Sequence, residues 1–267
     1  MKKMKTFKFF IGFSFALFLF GSFTSHVSYA EENPCLVCHV SFKQALKNVH
    51  NPVNMGCDAC HVRAEGKEHP RDKDSMKLTQ EMPHLCYVCH EESKFKGKVV
   101  HSPVAGGMCT SCHDAHQSNV PKILKKASPE LCYMCHDKGK FTKKFVHSAI
   151  PSVGCGTCHA PHVSNNPSLL ASDINELCLS CHVAKAKGTH VVALPGGKRH
   201  PIKGVIDPST RKMIKVQDPK KPGREIEVPD PNVPGKELTC VSCHDPHSAD
   251  FKSLLTAQRI CLKCHKY

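Results

Sequence analysis

Gly154-Cys155-Gly156-Thr157-Cys158-His159-Ala160-Pro161-His162 is the stretch that decides how this 267-residue chain is read. Two thiols sit three residues apart, an imidazole follows directly, and a second imidazole comes three residues later. The Cys-x-x-Cys-His core recurs nine times and uses all 18 cysteines. The thiol pairs are Cys35/Cys38, Cys57/Cys60, Cys86/Cys89, Cys109/Cys112, Cys132/Cys135, Cys155/Cys158, Cys178/Cys181, Cys240/Cys243 and Cys261/Cys264. The histidines that close them are His39, His61, His90, His113, His136, His159, His182, His244 and His265.

Cys-x-x-Cys-His is the attachment signature of c-type haem. The thiols form thioethers with the vinyl groups, and the adjoining imidazole is placed to reach the iron as proximal ligand. A Cys-x-x-Cys pair alone also suits a zinc knuckle or a thiol redox motif. Neither of these, nor a disulfide scaffold, has reason to set a histidine after every pair at uniform spacing. The expectation is nine covalently attached haem c groups.

The amino terminus predicts export. Lys2, Lys3, Lys5 and Lys8 precede an apolar run over residues 9–23, and Ser28-Tyr29-Ala30 offers a small-x-small cleavage site, the pattern of a secretory signal peptide over 1–30. The alternative is an uncleaved membrane anchor, for which 15 residues is short; membrane association is expected only in that case. Export to the periplasm, or onward to the outer surface, agrees with covalent haem attachment outside the cytoplasm. Removing 30 of 267 residues leaves 237, too few for a layered core around each of nine cofactors, so porphyrin faces must supply the buried apolar surface. The formal charge of +14 falls to +10 without the four signal lysines. Nine ferric haems at about −1 each bring it near neutrality. The basic composition therefore does not point to nucleic acid; basic patches are expected to meet propionates and acidic redox partners.

The motifs alternate between two kinds. One follows Leu or Ile, at Cys86, Cys132, Cys178 and Cys261, with Cys35 grouped here. The other follows small residues and trails a further histidine, as in Cys109-Thr-Ser-Cys-His113-Asp-Ala-His116 and Cys240-Val-Ser-Cys-His244-Asp-Pro-His247. Central starts are 46 residues apart in both series, which is repeat architecture and predicts an elongated array of short α-helices and loops with little regular sheet. The organisation is a leading motif over about 33–48, then doubled segments over 49–92, 100–138, 146–183 and 199–267. Ser128-Pro129-Glu130 and Ser172-Asp173 read as helix N-caps before Cys132 and Cys178, and Thr256 as one before Cys261. Between 190 and 236 lies an insertion with eight prolines from 195 to 234. There Val205-Ile206 and Met213-Ile214-Lys215-Val216, flanking Asp207-Pro208-Ser209-Thr210, resemble a small β-hairpin.

Histidine supply decides between wire and enzyme. Besides the nine proximal residues and His26, ten remain as distal candidates: His50, His69, His84, His101, His116, His147, His162, His190, His200 and His247. His50, His101 and His147 precede the glycine-type motif by 7–8 residues, while His116, His162 and His247 sit three beyond its proximal histidine. On a helix that places them on the same face, so they are expected to reach a neighbouring iron and tie haems into close pairs. His69 or His84 is assigned to the first pair, His190 or His200 to the fourth, and those left over compete for the haem at His39. The methionines that survive processing do not track the repeat, so bis-histidine ligation is expected. Six-coordinate irons favour electron transfer over substrate turnover. The alternatives are a multihaem reductase with one open iron, acting on a small oxyanion or nitrogen or sulfur substrate, and a conducting filament subunit.

The run His-Ser-x-x…Gly-Cys-x-x-Cys-His-x-Pro-His followed by Leu-Cys-x-x-Cys-His resembles the doubled CXXCH multihaem cytochrome c family. The resemblance covers nearly all of 33–267 apart from the insertion. It implies electron transport in anaerobic respiration, in the periplasm or at the outer surface. Donor and acceptor cytochromes, or membrane quinol-oxidising and terminal reductase complexes, would be the partners. The first glycine-type motif departs from the pattern: Cys57-Asp-Ala-Cys-His61 is followed by Val62-Arg63-Ala64, with no histidine at 64.

Overall fold

The computed structural model describes residues 33–187, 190 and 199–265; the signal segment over 1–30 and residues 191–198 of the insertion lie outside them. The chain divides into two compact units, Met1–Lys43 and Gln44–Tyr267. In the first, the described residues form two 3₁₀ turns, Pro34–Val37 and Val40–Phe42, with His39 between them. Asn33 caps the first turn by accepting the Cys35 amide, and Pro34 at the first helical position gives up no hydrogen bond there.

The second unit is held by very short strands that pair over long sequence distances. They are β1 Asn48–Val49, β2 His61–Arg63, β3 Met76–Leu78, β4 Val99–Val100, β5 Gln117–Ser118, β6 Phe145–Val146, β7 Val163–Ser164, β8 Met213–Gln217, β9 Glu225–Pro229 and β10 Ser248–Ala249. All pairs are antiparallel: β1 with β5, β4 with β7, β6 with β10, β2 with β3 and β8 with β9. The first three pairs repeat one theme. The strand leading a doubled segment pairs with the strand trailing the glycine-type motif of the next segment. One further bond extends each clamp, from the amides of His50, His101 and His147 to the carbonyls of His116 (2.7 Å), His162 (2.9 Å) and His247 (2.9 Å). Neighbouring segments are stitched together by backbone bonds rather than by a shared apolar core.

Among the described residues the buried apolar side chains are Ala64, Leu238 and Ala249, and the largest fully buried side chain is Ser248. Large apolar groups stand exposed instead, and eight of them sit at the motifs. Val37, Val88, Met134, Val241 and Leu262 lie between the two cysteines of a motif, and Val40, Val62 and Val183 directly follow its histidine. Exposed aliphatic surface of this kind costs about 25 cal/mol per Å², and its placement is that of surface made to be covered by a flat apolar group attached at the thiols. No helix among the described residues is long and apolar enough to cross a membrane.

Two expectations about local structure need correction. The insertion does contain a hairpin, but Met213–Gln217 pairs with Glu225–Pro229 in five-residue register rather than with Val205-Ile206. Ile206 instead bridges Glu237, and Pro208–Thr210 is a 3₁₀ turn capped by Asp207. Of the three N-caps, only Asp173 caps as expected, accepting from Asn175 and Glu176 at the start of the helix Ile174–Cys181. The Ser128 hydroxyl accepts the Cys155 amide of the next motif at 3.0 Å, and the Thr256 hydroxyl donates to the Cys243 carbonyl. Both side chains are used to join motifs, not to start helices.

Candidate cofactor-binding sites

Each motif is one tight turn. The first cysteine's carbonyl accepts from the amide of the second, except at Cys178, which lies within a helix. In eight of the nine motifs, all but that at Cys57, it also accepts from the histidine amide at 2.9–3.1 Å. That turn brings two thiols and one imidazole to the same side of the backbone, as bonding to the edge and face of one planar cofactor requires. All 18 thiols are free of disulfides. The turn needs room on its approach. Gly154 enters its motif at φ 78°, and a Cβ there would meet the Ser128 hydroxyl at 2.8 Å.

The attachment cysteines do not sit in enclosed protein pockets, as ligand-holding side chains usually do. Cys35, Cys38, Cys89, Cys135, Cys181 and Cys261 are exposed, and the other twelve are half-buried. Cys38 and Cys89 show the physical reason. Each closes its turn through the backbone, donating its amide to the carbonyl of Cys35 at 3.3 Å and of Cys86 at 3.2 Å. The side chains beside them, Val37 and Val88, are themselves exposed. With so small a protein core, cover for these thiols has to come from the group they would hold.

The imidazoles come together in twos. Ring centroids of His50 and His90 are 6.2 Å apart, His61 and His116 6.0 Å, His101 and His136 6.1 Å, and His113 and His162 5.9 Å. The series continues with His147 and His182 at 6.1 Å, His159 and His247 at 5.9 Å, His190 and His244 at 6.0 Å, and His200 and His265 at 6.2 Å. Each pair joins one motif histidine to one candidate distal histidine. Rings in van der Waals stacking would lie closer. A metal about 2.0 Å from one nitrogen of each ring would set their centroids about 6 Å apart, so the residues present fit a haem iron between two imidazoles. Among the described residues no three or more His, Cys, Asp or Glu side chains gather as a zinc centre would need.

Backbone carbonyls fix which nitrogen is available. Nδ1 of His113, His159 and His244 donates to the carbonyls of Lys122, Ser168 and Ser253 at 2.9, 2.9 and 2.8 Å. Those three residues lie in the left-handed region, at φ 59°, 55° and 58°, a strained state for a side-chain-bearing residue that turns the carbonyl toward the ring. His50 and His101 donate likewise to Ala115 and Pro161, both at 2.9 Å. A carbonyl only accepts, so Nδ1 carries the proton and Nε2 is left as the free lone pair. His162 and His247 are held below the usual imidazole range first by burial, and His190 first by burial and then by His244 and Lys185. This keeps them in the neutral form that binds metal.

Neighbouring motifs touch in sequence order. Cys86 lies within hydrogen-bonding reach of Cys109, Cys132 of Cys155, and Cys178 of Cys240. Burial, then the neighbouring sulfur, pushes Cys86 and Cys132 up to about 11. Cys240, accepting from Cys178, is lowered to about 7. Between these contacts Cys86 also feels Cys60, Cys112 feels Cys135, Cys158 feels Cys181 and Cys243 feels Cys264. From the motif at Cys57 to that at Cys261, each attachment point adjoins the next.

The pairing answers what the sequence left open. His116, His162 and His247 do reach another motif's histidine, but not from a helix. The chain leaves the motif in a turn in which Asp114 and Asp245 accept the amides of His116 and His247 at 2.8 and 2.9 Å. Their rings face the glycine-type histidine of the preceding segment, so they join segments rather than the two motifs within one. His61 is faced by His116 and His90 by His50, so the first doubled segment does not draw on His69 or His84. His69 hydrogen-bonds Ser75 at 3.0 Å, and His84 lies edge-on to Tyr87. Both His190 and His200 face motif histidines of the fourth segment, His244 and His265. Sequence reasoning missed Phe95 and Phe141, whose rings meet His162 and His247 edge-on at 5.4 and 4.9 Å. Tyr87 and Tyr133, inside the Leu-type motifs, support those phenyl rings. The recurrence of Tyr within the motif and Phe five residues beyond its histidine was the available signal.

A family model described as the doubled CXXCH motif matches residues 50–95, 101–141, 147–187 and 232–267, more than half of the chain. No curated protein matches it.

Proposed function

The chain belongs to the doubled CXXCH motif family and is a multihaem c-type cytochrome with covalently bound haem; from that membership we propose a periplasmic electron carrier with nine haems, relaying electrons between respiratory redox proteins. Each haem, when bound, supplies one-electron chemistry by cycling between ferric and ferrous iron. The cysteine pairs fix position along the chain, and the adjoining histidines fix one face. His50, His101, His147 and His200 would hold a haem from the other side within their own segment, whereas His116, His162 and His247 would do so in the preceding one. With an imidazole on both sides, water and small oxyanions are kept from the iron, which favours transfer over turnover.

The observation that carries this reading is the set of eight imidazole pairs at 5.9–6.2 Å. The sequence order of the attachment contacts supports a linear relay. The intact mass of the exported holoprotein tests the count: an increment of nine haems is expected, and fewer contradicts it. Rapid reduction and reoxidation by small redox proteins, without consumption of nitrite, hydroxylamine or tetrathionate, is the expected activity. Sustained turnover of any of these substrates would contradict the carrier reading.

A further inference from the structure

The eight imidazole pairs are not alike. In six of them the ring planes lie within 10–31° of one another. In the last two, His190 with His244 and His200 with His265, they cross at 72° and 70°. The local cause is visible. The six near-parallel pairs take their distal rings from histidines joined two by two through the backbone clamps of His50 to His116, His101 to His162 and His147 to His247. His190 and His200 come from the insertion and stand outside those clamps. His200 donates Nδ1 to the carbonyl of the adjoining Pro201 at 2.8 Å. Among the described residues, Nδ1 of His190 is buried with no hydrogen-bond partner.

Three effects at this end act in one direction. Parallel imidazole planes raise one of the two iron π orbitals above the other and favour the ferric state. Crossed planes leave those orbitals nearly equal in energy and weaken that preference. An imidazole whose Nδ1–H bonds to an acceptor is the stronger electron donor, and among the described residues His190 has no such acceptor. Lys185, Arg199 and Lys203 line a cavity of about 190 Å³ that His190 and His200 also border, and their positive charge favours the added electron.

Resting on the carrier reading above, we propose that the C-terminal pair of sites, built on His190/His244 and His200/His265, is the high-potential terminus of the relay. Electrons taken up one at a time from a low-potential protein donor collect there, each reduction converting one ferric centre to ferrous, and leave to an external acceptor from that end. The insertion thereby has a role: it supplies both distal histidines, in an orientation that makes these two centres electron-accepting.

The test is a dithionite titration of the nine-haem holoprotein followed by low-temperature EPR. Two strongly axial low-spin signals with a large leading g value are expected beside the rhombic signals of the near-parallel centres, and the axial pair should vanish first on reduction. His200→Met should remove one axial signal and leave the rhombic ones unchanged. Lys203→Gln, a milder change, should shift only the axial pair, toward later reduction. Loss of a rhombic signal in His200→Met, axial signals that vanish last, or low-spin spectra with no axial component would each overturn this proposal and leave the carrier reading standing. A predominantly high-spin spectrum would instead overturn the carrier reading beneath it.

Discussion

At the scale of single residues, much of the chemistry is set by backbone atoms that no motif records. The imidazole of His159 is oriented by the Ser168 carbonyl, nine residues on, and the adjoining thiol turn is entered through Gly154. With φ at 78° and Ser128 2.8 Å from where a Cβ would stand, Gly154→Ala should destabilise the holoprotein by about 1–3 kcal/mol. Thermal unfolding followed at the Soret band measures this, and an unchanged midpoint would contradict the packing described. Asp207 is a second case. At 2% exposure, burial raises its carboxyl, but hydrogen bonds from Ser209 and Ser242 outweigh burial and hold it below the usual carboxylate range. A depressed folded value means its stabilisation is present above the unfolded value and is lost as pH falls through the folded one. Asp207→Asn should therefore cost about 1.5–3 kcal/mol at neutral pH, with the gap to the parent protein closing in acid. A gap that widens as pH falls would contradict that sign. The nine motifs and the ten spare histidines could be read directly from the sequence. The carbonyl partners, the Phe95 and Phe141 contacts and the left-handed turns could not, because they depend on backbone direction rather than residue type.

At the scale of elements, β1, β4 and β6 decide which histidine serves which centre. Two residues of strand carry no readable alternation, and their partners β5, β7 and β10 lie about 70 to 100 residues away. The sequence could therefore place His116 on another centre without saying which one. It also found the insertion's hairpin but paired Met213–Gln217 with the wrong side, since Glu225–Pro229 alternates charged and apolar residues as regularly as its partner does. The clamp makes a directional prediction. His116→Ala should create one high-spin, carbon monoxide-binding haem in the preceding segment rather than its own. Adding Cys57→Ala and Cys60→Ala, which removes the haem next to His61, should abolish that signal. If Cys109→Ala and Cys112→Ala abolish it instead, the assignment across segments is wrong.

At the scale of the molecule, the first and last glycine-type motifs differ from the two between them: the first lacks a histidine at 64, and the histidine of the last faces a ring from the insertion. The later glycine-type motifs send a histidine back to the segment before them. At the first, position 64 is a buried alanine flanking the β2–β3 pair. At the last, His190 from the insertion faces His244. From His61 to His265 each motif histidine faces a second imidazole, so each haem held there would be closed on both faces. Spin-quantified EPR of the fully oxidised holoprotein tests that claim most directly. The account predicts low-spin ferric signals equivalent to at least eight haems, one for each imidazole pair. High-spin ferric iron amounting to two or more haems would contradict it.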